Sequence, residues 1–208
     1  MDSIGSLRVG ELLTQPAVVG AAEPVSRAIG LLRRSSAYEV FVVEKNEVRG
    51  LVAIRDILKV SNIASAKIST LMTRVPQLAR EDTVSRAARV MTDDRVRAVP
   101  VLENCKLAGQ LTAPSICDQM SRQGKLNSTA ATVMTPDPTF LREDDLVAKA
   151  RTVMIQRNID HLPVLRQKEI AGMVTSDAIV FRMTPPERIA RESIVAEEQR
   201  RLDVKVSG

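Results

Sequence analysis

The chain has 208 residues, 44% hydrophobic and 26% charged, with 30 Lys and Arg against 25 Asp and Glu. Aromatic residues make up 2%, with no Trp, one Tyr and three Phe, which argues against a nucleic-acid surface that stacks bases on rings. The net charge of +5 admits an anionic partner, but basic residues stand among acids rather than in a stripe of one sign: Arg80 beside Glu81 and Asp82, Arg142 beside Glu143 to Asp145, Arg191 beside Glu192.

Cys105 and Cys117 form no C-x-x-C pair, so two inert thiols in a reducing compartment are expected, with no disulfide framework and no metal site. The opening residues carry no basic-then-apolar export signal, and no apolar run approaches ~18 residues. The expectation is a cytoplasmic protein.

In chain order, the first unit is read over residues 7–62. It has a turn, "LLTQP", ending at Pro16 and a helix starting at Val25 in "PVSRAIGLLRRS". Two strands follow in "EVFVVEKNEVRGLVAI", then a second helix in "RDILKVSNI". The second unit, 66–122, repeats this order with "LMTRVP", "TVSRAARVMTDD", "RAVPVLENCKLAGQLT" and "PSICDQMSR". The third, 128–182, repeats it with "VMTPDP", "LVAKARTVMIQR", "DHLPVLRQKEIAGMVT" and "SDAIVFRM". From Val25, Val84 and Val147 to Phe41, Pro100 and Pro163 the separation is 16 residues in every copy; to Gly50, Gly109 and Gly172 it is 25. Helical spacing followed by two short apolar runs reads β-α-β-β-α in each copy, an α+β fold. A copy of roughly 55 residues buries too little surface alone, so copies should pair sheet to sheet. Met72, Met91, Met120, Met134, Met154 and Met173 recur at equivalent apolar positions and are expected in the core.

The tail, 184–208, opens with Thr184, Pro185 and Glu187, a hydroxyl cap, a first-position proline and an acid three residues on. Its last residues, "VKVSG", resemble "AKIST" before Leu71. A helix and the truncated start of a fourth repeat are expected. The third repeat would then pair with the third repeat of another subunit, giving a homodimer.

The segments "LMTRVPQLAREDTVSRAARVMTDDRVRAVPVL…LAGQLT" and "VMTPDPTFLREDDLVAKARTVMIQRNIDHLPVL…IAGMVTSD", with "GLVAIRDIL" in the first copy, resemble the CBS (cystathionine-β-synthase) domain family, whose repeats pair into Bateman modules. The resemblance runs from about residue 7 to 181. It implies a regulatory protein without catalytic residues that binds AMP, ADP, ATP or an S-adenosyl compound between paired repeats and acts on a regulated protein.

In the family pattern the hydroxyl three residues after the Gly meets phosphate and the Asp six after it holds ribose. The resemblance places Ala53 and Asp56, Thr112 and Ser115, and Thr175 and Ala178 at these positions, with Asp177 one residue early. Arg97 and His161 fall where the family often has a phosphate-binding cation. Val18, Leu78 and Phe140 fall on the adenine side, where contact is through the backbone. A strand ending on a helix N-terminus offers free N–H groups to an anion. The same hydroxyl and acid also form a capping box with no ligand, and both readings stand for each residue. Two other functions fit the incomplete triplets and the basic charge: an assembly module with vestigial clefts, and a nucleic-acid-associated regulator.

Overall fold

The computed structural model describes residues 4–183, so the helix and fourth-repeat start read over 184–208 lie outside the described residues. The β-α-β-β-α order appears three times. Repeat 1 comprises β1 (Val18–Val19), α1 (Val25–Ser35), β2 (Glu39–Glu44), β3 (Glu47–Ala53) and the single turn α2 (Ile54–Ile57). Repeat 2 comprises β4 (Leu78–Ala79), α3 (Val84–Asp93), β5 (Ala98–Glu103), β6 (Lys106–Thr112) and α4 (Ala113–Arg122). A short α5 (Ala130–Val133) leads into repeat 3: β7 (Leu141–Arg142), α6 (Val147–Arg157), β8 (His161–Arg166), β9 (Glu169–Thr175) and α7 (Ser176–Met183). The architecture is the α+β one expected.

Each repeat folds its strands into a separate three-stranded sheet, in which the short first strand runs parallel to the second and the second pairs antiparallel with the third. The register breaks at the same place each time, between Val42 and Val43, Val101 and Leu102, and Val164 and Leu165. Such a bulge bends the hairpin and increases its twist identically in all three. Two-residue turns with positive φ close the first two hairpins: Lys45 and Asn46 at 49° and 65°, Asn104 and Cys105 at 51° and 63°. These suit the right-handed twist of the flanking strands.

The chain forms two compact bodies. The first contains residues up to Gly20, Tyr38–Ala53 and Met72–Pro138, which is the sheet of repeat 1 together with all of repeat 2. Phe41, Leu51, Leu78, Val99, Val101 and Leu111 from both sheets share one core. The outer edges of β3 and β6 are closed by exchange. Leu51 N–H donates to Thr73 O at 2.9 Å and Thr73 N–H to Leu51 O at 2.8 Å; Gln110 N–H donates to Thr14 O at 3.0 Å and Thr14 N–H to Gln110 O at 2.8 Å. The segment before each repeat thus crosses the sheet edge of the other at one position, a pseudo-two-fold arrangement that blocks the middle of each edge.

In the second body, helices α1, α2, α6 and α7 pack together. Val25, Ala28, Ile29 and Leu32 fall on one face of α1 and are buried, as helical spacing requires. Ile57, Leu58, Met154 and Val180 are buried in the same body. Polar ties join repeat 1 to repeat 3 here. Arg151 Nε donates to Leu58 O at 2.6 Å. Arg33 Nη2 donates to Phe181 O at 2.7 Å, its guanidinium 4.9 Å from the Phe181 ring centre.

Repeat 3 repeats the pattern with different burial. Val147 at the start of α6 is 59% exposed, against 0% for Val25 and 2% for Val84. Met173 on β9 is 58% exposed, against 2% for Leu51 and 8% for Gln110. The methionine expectation is corrected accordingly: Met91 and Met154 are core, whereas Met72, Met134 and Met173 are exposed. Spacing sets which way a side chain points, and a packed neighbour decides whether it is covered.

Candidate functional site

In repeat 2 the register pairs Ala98 of β5 with Thr112 of β6, and Ala113 N–H donates to Arg97 O at 2.7 Å. The strand-to-helix junction therefore brings Arg97, Thr112 and Ser115 together. Thr112 caps α4: Ser115 N–H donates to Thr112 Oγ1 at 3.2 Å, and Thr112 N–H donates to Ser115 Oγ at 3.2 Å. The capping box is realised, while further N–H groups of the first helical turn have no partner within the helix. Arg97 lies with its guanidinium 3.8 Å from the centre of the Tyr38 ring, a cation–π contact that fixes its direction. Its backbone N–H donates to Glu39 Oε1 at 3.0 Å.

Repeat 3 builds the same backbone junction, but Asp160 stands where repeat 2 has Arg97, and His161 matches Ala98 one place further along the strand. His161 pairs in register with Thr175, and Ala178 N–H donates to Thr175 Oγ1 at 3.3 Å. Asp177 lies in the first turn of α7, half-buried, and His161 is exposed. Beneath it, Asp160 accepts from Ser176 Oγ at 2.9 Å and from Arg55 Nη1 at 2.8 Å, with both ion-pair side chains only 11% exposed. The sequence reading missed this cluster. Ser176 and Asp160 each adjoin a flagged residue, but Arg55 lies in another repeat and no local spacing points to it.

Repeat 1 differs. Ala53 is buried and offers no hydroxyl, and Asp56, also buried, accepts from Lys59 Nζ at 2.7 Å. The position matching His161 is Glu39, a buried acid. This junction lacks both phosphate-side groups.

On the adenine side, Val18 and Phe140 are exposed, but Leu78 belongs to the core. The register explains it. Val19, Leu78 and Leu141 pair with Val42, Val101 and Val164, so the residue matching Val18 and Phe140 is Gln77, whose Nε2 donates to Val48 O at 2.9 Å. The Leu78 side chain is therefore packed away from any ligand.

In the turn after β7, Asp145 accepts from Lys149 Nζ at 2.7 Å and from Arg142 N–H at 2.8 Å, which holds its carboxyl below the usual aspartate value. A surface hollow of about 470 Å³ is lined by Arg8, Gly10, Glu11, Arg80 and Glu81. It contains none of the residues above, and Arg8 Nη1 already donates to Glu81 O at 2.6 Å. Cys105 and Cys117 are free and exposed. Among the described residues no His, Cys, Asp and Glu group is placed to hold a metal ion, and no helix is long and apolar enough to cross a membrane.

Three sheet-and-helix repeats, two of them with a hydroxyl-capped junction after the third strand, define a tandem-repeat module. The CBS domain family matches residues 9–62, 68–121 and 130–184, and the chain belongs to that family. An uncharacterized protein of Methanocaldococcus jannaschii is 27% identical over 187 residues, 86% of this chain and 44% of that protein. The chain thus spans less than half the length of that relative. Among solved structures, a protein of M. jannaschii described as a candidate archaeal homologue of γ-AMPK superposes with a TM-score of 0.78 at 14% identity, covering 90% of this chain and 76% of that one. A CBS domain pair in complex with 5′-methylthioadenosine and S-adenosyl-L-methionine superposes with a TM-score of 0.51 at 21% identity, covering 56% of this chain and 98% of that pair.

Proposed function

We propose that the chain is a non-enzymatic cytoplasmic regulatory protein that binds an adenine nucleotide (AMP, ADP, ATP or an S-adenosyl compound). It assembles as a homodimer through its repeats and acts on a regulated partner protein. One observation carries the reading: in repeats 2 and 3 a hydroxyl helix cap lies at a strand-to-helix junction with a basic strand residue, Thr112 with Arg97, which adjoins its register partner Ala98, and Thr175 with its own register partner His161. Arg97 and the first turn of α4 suit the phosphate end of a ligand, with Ser115 as a neutral ribose partner. Asp177 supplies the carboxylate in repeat 3, and Asp56 in repeat 1. Glu39 disfavours phosphate in repeat 1, so sites at repeats 2 and 3 are expected to prefer phosphorylated ligands. The complex of a structural neighbour with two adenosine compounds supports the ligand class.

Calorimetry with ATP, ADP, AMP and S-adenosylmethionine tests this. Arg97→Ala should weaken ATP binding by roughly tenfold or more, the worth of a charge-assisted contact, with less effect on the S-adenosyl compound. Absence of heat with every ligand overturns the reading. It would favour an assembly module, which the mutual bonding of Thr112 and Ser115 and the Asp56–Lys59 pair also fit.

A further inference from the structure

We propose that Glu39 sets how many phosphates the repeat 2 junction accepts, favouring a nucleoside monophosphate over a triphosphate. The proposal rests on the nucleotide reading above and names the ligand within that class.

Glu39 is 5% exposed, and a carboxylate is costly to bury. The fold does not ask for an acid at this place. Glu39 pairs with Ala53, and the matching pairs are Ala98 with Thr112 and His161 with Thr175. The same first position of the strand thus holds Ala in repeat 2 and His in repeat 3. The Glu39 side chain reaches out of its own repeat: Oε1 accepts from the Arg97 N–H at 3.0 Å. Accepting suits an ionised carboxylate, which has no proton to give.

The charge so placed lies near the phosphate end of the repeat 2 junction. The carbonyl of the same Arg97 accepts from Ala113 N–H at 2.7 Å, and Ala113 opens α4. One residue therefore separates the Glu39 carboxylate from the helix start, a span of about 10 Å at most. Tyr38, the residue before Glu39, lies against the Arg97 guanidinium with its ring centre 3.8 Å away. Stacking occupies the face of a guanidinium, and the donors that recognise phosphate lie along its edge. Arg97 and the first turn of α4 attract an anion, and Glu39 opposes them. A first phosphate gains charge-assisted hydrogen bonds that outweigh the opposition. Each further phosphate adds negative charge beside the same buried carboxylate, where like charges repel far more than in water.

Tyr38 is the only Tyr of the 208-residue chain, which has no Trp, so tyrosine emission reports this junction separately from repeat 3. Titration of the whole chain with AMP and with ATP, without divalent cations, should give tighter binding of AMP. Glu39→Gln keeps the shape and the acceptor for Arg97 N–H while removing the charge. The ratio of the ATP to the AMP dissociation constant should then fall by about tenfold or more. Glu39→Asp disturbs the packing but keeps the charge, and should retain the preference for AMP. A wild type that binds ATP as tightly as AMP overturns the role of Glu39. So does a ratio that stays unchanged in Glu39→Gln, or that changes alike in both variants, which would make packing the cause. Absence of any response to either nucleotide, in emission and in calorimetry, overturns the nucleotide reading together with this one.

Discussion

Repeat 1 is joined to its two neighbours by different chemistry. With repeat 2 it shares strand edges and an apolar core in which Phe41, Leu51, Val99 and Leu111 meet. With repeat 3 it shares helices and polar ties, the Arg55–Asp160 pair and the Arg151 and Arg33 bonds to main-chain carbonyls. The first join gains from area and tolerates changes of shape that keep volume; the second depends on geometry, because a buried charge stabilises only while its partner is in place. One repeat pattern thus serves two kinds of interface, on its sheet side and on its helix side.

Breaking the polar join should show the largest effect. Arg55→Met leaves the Asp160 carboxylate buried with only Ser176 of its two named partners, and should cost about 3–5 kcal/mol in urea unfolding. The double change Arg55→Met/Asp160→Leu should recover most of that loss. If the double variant is as unstable as the single one, the join owes its strength to packing and the contrast fails.

The apolar join is probed by truncation at matching positions. Leu51→Ala should cost about 2–5 kcal/mol by thermal denaturation. Met173→Ala, measured at concentrations too low for association, should stay within about 0.5 kcal/mol. Equal losses would mean that β9 is covered in solution by something other than a second copy.

The smallest effect is on pH dependence, at the turn after β7. The Asp145 carboxyl is held low by Lys149 and by the Arg142 N–H, so its contribution to stability is present above the unfolded value and is lost as pH falls through the lower folded one. Asp145→Asn should lie slightly below wild type at neutral pH and converge with it in acid. A gap that widens on acidification would reverse the sign and exclude this origin.

The sequence made the repeat legible because two periodicities, helical and strand-like, return at fixed spacing around Val25, Val84 and Val147. The caps were legible too: Thr112 and Ser115 are three residues apart and bond within one turn. Leu78 was placed one residue from its proper partner. Counted from the turn proline, the segment before the helix has one residue more in repeat 1 than in repeat 2, which leads to Leu78; counted back from Val84, as Val18 and Phe140 are from Val25 and Val147, the residue is Gln77, and the pairing of Leu78 with Val101 agrees. Exposure of Met173 was not legible, since its spacing matches that of buried Leu51. The Arg55–Asp160–Ser176 cluster was the least accessible, because it depends on where helices from different repeats meet.

The crossed edges also set an order in time. Thr14 Oγ1 and Gln110 O are 96 residues apart in the chain, and Arg55 and Asp160 are 105 apart. At synthesis rates of about 5–20 residues per second, repeat 1 waits roughly 5–20 seconds for each partner to emerge. Its own sheet edge is met sooner, because Thr73 follows Leu51 closely in the chain, but the Thr14 segment and the helix side at Arg55 stay without their partners through that interval. The first repeat made is therefore among the last to be completed, and the segment that precedes it stays without its strand partner until Gln110 arrives.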